Sequence, residues 1–448
     1  MTASLPSRTP HDRPRPSTAR YWVLALLCLS ATIAYVQRNS IGVAESTIRG
    51  ELHLDEQQMG WVISAFFITY AVFQLPAGVL VGRWGSRRAL VVLTVVWSLA
   101  TGGLGLCLGW FGLLVTRAAM GAAQAGVFPA ATTVIAHWLP ATHRGTAAGA
   151  LSAFMYVGGA VGAIVTGLAL ETVGWRWLYV LYALPGLAWA AWFALWFRDD
   201  PARHPSVNEG ELSLLGRTSR TPAHRPTSGT MDDSVDAAVP WGAIFRSRAM
   251  GAIAAQHFFR AAAAIFFASW FATYMQQTRG VTAATSGLLT SLPVAAVVPG
   301  SLVGGILSDR ILRRTGSRRL GRQMLSAVAV WTAAAFIIAA MAIDDAWLAA
   351  AVIAAGSFCA ALSGPCAYSI TIDMGGAHVA TVFSVMNTAG NVGAVLFPLA
   401  VPGLVAWSGN WNLVLLIFAG LYVAAGICWL AFDSSGSIVE PREPAGAA

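Results

Sequence analysis

Three arginines stand inside stretches that are otherwise apolar: Arg38 in Tyr35-Val-Gln-Arg-Asn-Ser40, Arg117 in Arg-Ala-Ala-Met-Gly121, and Arg260 in Gln256-His-Phe-Phe-Arg260. An ionisable side chain in such a setting costs ~2.5–3.5 kcal/mol on insertion scales, and it marks a polar cavity or pathway. Arg stays charged and presents a flat fork that matches a carboxylate. Two such cations facing one cavity, with no acid beside them, repel each other unless an anion joins them. Arg38 and Arg260 therefore read as an anion site; the competing reading has one or both snorkelling or bound to main-chain carbonyls. The spacing around Arg117 fits a structural role at least as well as a direct one. No Asp or Glu lies deep in any apolar stretch, and Glu45, Glu171 and Asp373 fall at their ends. The buried acid of raised pKa that often loads and releases a proton is thus not visible. His257, three residues before Arg260 and on the same helical face, titrates near neutrality and is the candidate for proton coupling. A neutral histidine bonded between helices is the alternative.

The elements that must position these residues follow from composition. Of 448 residues, 56% are hydrophobic and 11% charged, and the mean hydropathy is +0.62. Soluble globular chains carry about 25% charged residues. This balance excludes that class and most disorder. A run of ~20 apolar residues crosses the hydrocarbon core. Twelve such segments are expected, near 21–44, 60–81, 89–109, 111–137, 146–170, 176–197, 250–275, 285–307, 323–343, 346–371, 380–406 and 411–432. The expected organisation is a disordered N-terminus (1–20), a six-helix bundle (21–197), a mobile polar linker (198–248), a second six-helix bundle (249–432) and a tail (433–448). With the N-terminus inside, 22 of the 28 arginines fall in cytoplasmic segments and three in outside loops. Arg-rich loops stay cytoplasmic, which also accounts for the net charge of +8 without nucleic acid. The five cysteines lie in apolar stretches without metal spacing. No metal cluster, paired acid, nucleotide loop or nucleophile set is recognisable, so neither an enzyme nor a cofactor is expected.

The two halves echo each other. Gly78-Val-Leu-Val-Gly-Arg-Trp-Gly-Ser-Arg-Arg88 follows the second segment, and Gly305-Ile-Leu-Ser-Asp-Arg-Ile-Leu-Arg-Arg-Thr-Gly-Ser-Arg-Arg319 follows the eighth. Arg83 and Arg310 lie 227 residues apart, and Arg38 and Arg260 lie 222 apart. Repeats related by an axis along the membrane normal bring equivalent helices to a shared mid-membrane site. Close-packing glycines (Gly158, Gly162, Gly300, Gly304, Gly305) and in-helix prolines (Pro293, Pro299, Pro365, Pro398) fit helices that pack tightly and bend.

These loops resemble the signature of the major facilitator superfamily, in which the loop acid helps latch the cytoplasmic gate. The resemblance implies gating roles for Arg83, Asp309 and Arg310. The first loop departs from the pattern, with Gly82 where the acid is usual. More narrowly, the chain resembles the anion:cation symporters, which include sugar-acid and aromatic-acid permeases. The matching residues are Tyr35, Arg38, Gly60, Ser64-Ala65-Phe66, Tyr70, Gln74, Pro76, Arg117, Gly121, Phe128-Pro129, Trp138, Pro140, Arg144, Asn387, Asn391, Gly393 and Pro398. That family commonly has Asp before the helix-one Arg and Glu before the Phe-Pro pair, whereas Gln37 and Gln124 stand here. The resemblance implies Arg38 as the carboxylate anchor and Tyr35, Tyr70 and Gln74 as polar lining. Gln37, Gln124, Asn387 and Asn391 are further candidates for orienting the neutral groups of a substrate. The expectation is an all-α membrane transporter of a small organic anion such as a sugar acid or aromatic acid. It would work by alternating access as a monomer in the bacterial inner membrane, with both termini cytoplasmic. Protons or a counter-anion are the candidate co-substrates. The weaker alternatives are proton-linked transport of a neutral or cationic compound, and an anion receptor that does not transport.

Overall fold

A computed structural model describes residues 15–215 and 239–438 of the chain; expectations for 1–14, 216–238 and 439–448 lie outside them. Twelve helices are long and apolar enough to cross a membrane. In the first half these are α1 (Ala19–Glu51), α2 (Glu56–Trp84), α3 (Ser86–Gly105), α4 (Trp110–Trp138), α5 (Arg144–Val173) and α6 (Trp175–Trp196). The second half holds α7 (Arg248–Ser269), α8 (Ala283–Thr315), α9 (Leu325–Met341), α10 (Ala346–Met374), α11 (Val379–Ser408) and α12 (Trp411–Leu430). Several run beyond the apolar segments, α1 by seven residues at its C-terminal end. Helical hydrogen bonding does not stop where hydrocarbon does, and polar turns such as Ala44–Glu51 continue it into the interface. Sharp ends come from local chemistry. Asp55 and Gln58 form a reciprocal capping box at the start of α2, and Gly316 ends α8 in the left-handed region at φ +66°.

Helix α4 is interrupted at Ala125–Gly126, where the hydropathy pattern predicts one continuous span. Pro129 has no N–H to give the Ala125 carbonyl four residues back. The Gln74 amide supplies the missing donor at 3.0 Å. The 198–248 connector, read as a mobile linker, contains ordered chain at both ends. Its short helix Glu209–Leu214 is held by Glu211, which is fully buried against Arg20 at 3.0 Å and accepts from the Ser17 hydroxyl. This contact lies on the same side as the ends of α6 and α12 and the start of α7, here termed the linker side.

The halves meet mainly through α5 against α8 and α2 against α11. Glycine makes these approaches possible. A Cβ on Gly305 would run into the Gly145 carbonyl, and one on Gly78 into Ser384 and the Ala380 carbonyl. A buried apolar cluster containing Phe128 of α4, Tyr368 of α10 and Phe383 of α11 spans both halves. A second cluster, with Phe266 and Phe418, belongs to the C-terminal half alone.

Candidate functional site

Arg38 sits among four aromatic rings. Its guanidinium carbon lies 5.1 Å from the ring centre of Tyr35, 4.7 Å from Phe66, 4.9 Å from Phe67 and 5.0 Å from Tyr70. One N–H reaches the Tyr35 hydroxyl at 3.3 Å. The spacing Phe66-Phe67-x-x-Tyr70 puts three rings of α2 on the α1 side, and Tyr35 precedes Arg38 by one helical turn. Ring faces attract a cation, by about 2 kcal/mol or more when desolvated, without neutralising it. No carboxylate pairs with Arg38 or Arg260 among the described residues. The fork of Arg38 is thus steadied but still available to an anion.

Arg117 explains part of that steadiness. It is 1% exposed, donates to the Arg38 main-chain carbonyl at 3.4 Å and stacks on the same Phe66 ring at 4.8 Å. Its charge is spent holding the Arg38 segment, which is the structural reading of the two that the sequence allowed.

In the other half, Arg260 donates to Nδ1 of His257 at 3.2 Å. A guanidinium has no acceptor, so Nδ1 accepts, and the imidazole is neutral with its proton on Nε2. The ring is nearly buried against Gly390 of α11, where a methyl group would collide with it. Asn387 lies one turn earlier on α11, near Tyr70 and His257. Tyr368 of α10 meets Phe128 of α4 edge-on, with ring centres 6.2 Å apart. Arg260 Nε and Asn391 Nδ2 are buried donors without a partner among the described residues. Such donors cost about 1–3 kcal/mol when left unmet, and they suit the oxygens of an anion.

The three glutamines do not join this group. The amide of Gln37 donates to the Tyr182 carbonyl of α6 at 2.5 Å, that of Gln74 to Ala125 of α4, and that of Gln124 to Ala34 of α1 at 3.2 Å. All three are buried. Each amide N–H ties one helix to the backbone of another, while Oε1 of Gln37 and of Gln74 has no partner among the described residues. Sequence reading also missed Phe67, whose ring completes the set around Arg38. Aromatic residues in apolar helices carry no signal that separates core from cavity.

At the linker side, Asp309 is fully buried. It accepts from the main chain of Gly145 at 3.0 Å and of Thr146 at 2.6 Å, from the Thr146 hydroxyl at 2.8 Å, and from Arg322 at 2.9 Å. An anion at the first turn of α5 is electrostatically favoured. Arg322 also reaches Asp373, which pairs with Arg144 at 2.8 Å. Asp309 therefore joins the halves, whereas Arg83 and Arg310 make no such contact among the described residues. Both are exposed, and the working cations are Arg144 and Arg322. Arg322 lies outside the repeated loop motif, so its role was not readable.

Two bundles of six membrane-length helices, packed together through α5–α8 and α2–α11, have the architecture of a multi-pass membrane transporter. The chain belongs to the Major Facilitator Superfamily, whose signature matches residues 27–341. It is 30% identical to the probable sulfoacetate transporter SauU of Cupriavidus necator, over 95% of this chain and 97% of that one. It is 27% identical to the probable galactarate/D-glucarate transporter GudP of Escherichia coli, over 92% of each. Identity to the hexuronate transporter of Bacillus subtilis is 24%, over 92% and 94%. Among solved structures, the proton:xylose symporter XylE bound to a bromodeoxyglucose superposes with a TM-score of 0.67 at 14% identity, covering 92% and 94%. The transporter FucP in its outward conformation superposes at 0.68 and 15%, covering 92% and 98%. At those identities the shared feature is the fold.

Proposed function

We propose that this protein carries a small organic dianion across the membrane by alternating access, with Arg38 and Arg260 each engaging one acid group. The observation that carries this reading is the pair of guanidiniums, one from each half, with no carboxylate partner among the described residues. A monoanion would leave one fixed charge uncompensated in a low-dielectric cavity; a dianion balances both. Sulfoacetate and glucarate, named for two of the relatives, each bear two acid groups. Asn387, Asn391, Tyr35 and Tyr70 orient the remainder of the molecule.

Substrate and proton are linked through His257. Its Nδ1 accepts from Arg260 only while the ring is neutral. When an anion draws the fork away, Nδ1 is free to take a proton, and the anion offsets the new charge. The described state has its linker side joined by the Asp309 and Asp373 contacts. We place that side in the cytoplasm, because the arginine-rich segments lie there, and the protein in the cell membrane as a monomer.

The test uses purified protein in liposomes, with uptake of labelled sulfoacetate, glucarate, a hexuronate and a neutral hexose measured with and without a pH gradient. Two-acid substrates should accumulate at least tenfold faster than the others. Equal rates for the hexose, or no uptake of any acid, would refute the site; uptake that ignores the gradient and is insensitive to His257→Gln would remove the proton link alone.

A further inference from the structure

Between α3 and α6 the linker-side edge of the first bundle opens into a groove of about 430 Å3, lined by Trp84, Arg87, Arg88, Val91, Val92 and Ala194. We propose that it is a binding site for one anionic phospholipid, with the phosphate on Arg88 and an acyl chain running down the outer face of α3.

Charge sets the head of the site. Arg87 is committed: its guanidinium bonds the Ala194 carbonyl, and its main-chain N–H donates to Asp199 at 2.9 Å. That tie fixes the wall of the groove, and Asp199 also lies within electrostatic range of Arg88 without bonding it. Arg88, the next residue, is exposed and makes no hydrogen bond or salt bridge among the described residues. It lies in the first turn of α3, at the level where the apolar span begins. Trp84 beside it is 47% exposed, as an indole at the headgroup boundary is.

Apolar surface sets the tail. Arg88, Val92, Val96 and Leu99 recur at helical spacing on one face, and the last three are exposed. At 1.5 Å per residue the stripe runs about 16 Å, close to the depth of one leaflet's hydrocarbon, about 15 Å. A cation capping an apolar stripe of that length complements an anionic lipid. The matching seam of the second half is built differently. There a π-turn, Arg319–Met324, brings Gln323 to the carbonyls of Trp429 on α12 and of Phe432 just beyond it, at 2.8 and 2.7 Å.

Native mass spectrometry of the full-length protein in detergent, titrated with phosphatidylglycerol or phosphatidylcholine, tests the assignment. Wild type should retain one phosphatidylglycerol most tightly. Arg88→Gln should lower that retention at least fivefold, Arg88→Lys should restore much of it, and Arg314→Gln, at an exposed arginine elsewhere on the same side, should leave it unchanged. Val96→Glu should also lower it, because a carboxylate would stand in the acyl path. The proposal is overturned if Arg88→Gln behaves like Arg314→Gln, if phosphatidylcholine is held equally, or if millimolar inorganic phosphate displaces the lipid, which would make the site one for free phosphate.

Discussion

At the residue scale, the central device is a cation held without being neutralised. Rings and a hydroxyl steady Arg38, whereas a carboxylate there would compete with substrate. Arg38→Ala should remove at least one charge-assisted bond of ~1.5–3 kcal/mol, weakening anion binding by tenfold to a hundredfold with the protein still folded; isothermal titration with the transported acid reads this, and unchanged affinity would take Arg38 out of the site. Arg260→Lys keeps the charge but loses the fork, and about a tenfold rise in Kd is expected. His257 adds a pH term. Uptake by wild type should depend on external pH, and His257→Gln should flatten that profile while leaving substrate affinity at high pH within twofold. A profile of unchanged shape would return His257 to a packing role.

At the element scale, polar side chains repair what proline and close packing break. Pro129 frees a carbonyl in α4 and Gln74 of α2 fills it, so two helices are joined at the level where α4 changes course. Gln74→Leu should leave the Ala125 carbonyl unmet and cost about 1–3 kcal/mol. The expected result is a thermal midpoint lower by several degrees in detergent with substrate KM nearly unchanged. A large KM change with normal stability would instead restore Gln74 to the substrate-lining role first expected of it. The same reasoning covers Gln37 and Gln124, which keep the size expected of the family's acids but spend their amides on neighbouring backbones.

At the scale of the whole molecule, the two halves are alike in fold but unlike in their latch. Asp309 grips the start of α5 with four hydrogen bonds. Its counterpart is Gly82, around which a Cβ would meet nothing within 4 Å, although Gly78 one turn earlier packs on Ala380 and Ser384 at the start of α11. The linker side is therefore fastened on one flank only. Gly82→Asp offers the missing anion to the first turn of α11. A gain of one or two kcal/mol would shift the balance between the two states by roughly 5–30-fold toward linker-side closure. Labelling of a cysteine placed in the linker-side mouth should slow accordingly, and Asp309→Asn should speed it. Equal labelling in all three proteins would show that these contacts do not set the equilibrium.

The amino-acid pattern by itself determined the twelve spans, their division into two repeated halves, and the rank of Arg38 and Arg260 above every other candidate. Those features rest on hydrophobicity, repeat spacing and the cost of charge in hydrocarbon, all of which are written along the chain. Tertiary structure decided which polar groups bond the backbone of a neighbouring helix and which do not. Gln37 is next to Arg38 in the chain yet points to α6, because adjacent residues on a helix diverge by about 100°. Arg322 became a latch residue only once α9, α10 and α5 were brought to one corner. Rotation about each helix axis and contact between distant helices are set by packing, and no one-dimensional pattern records them.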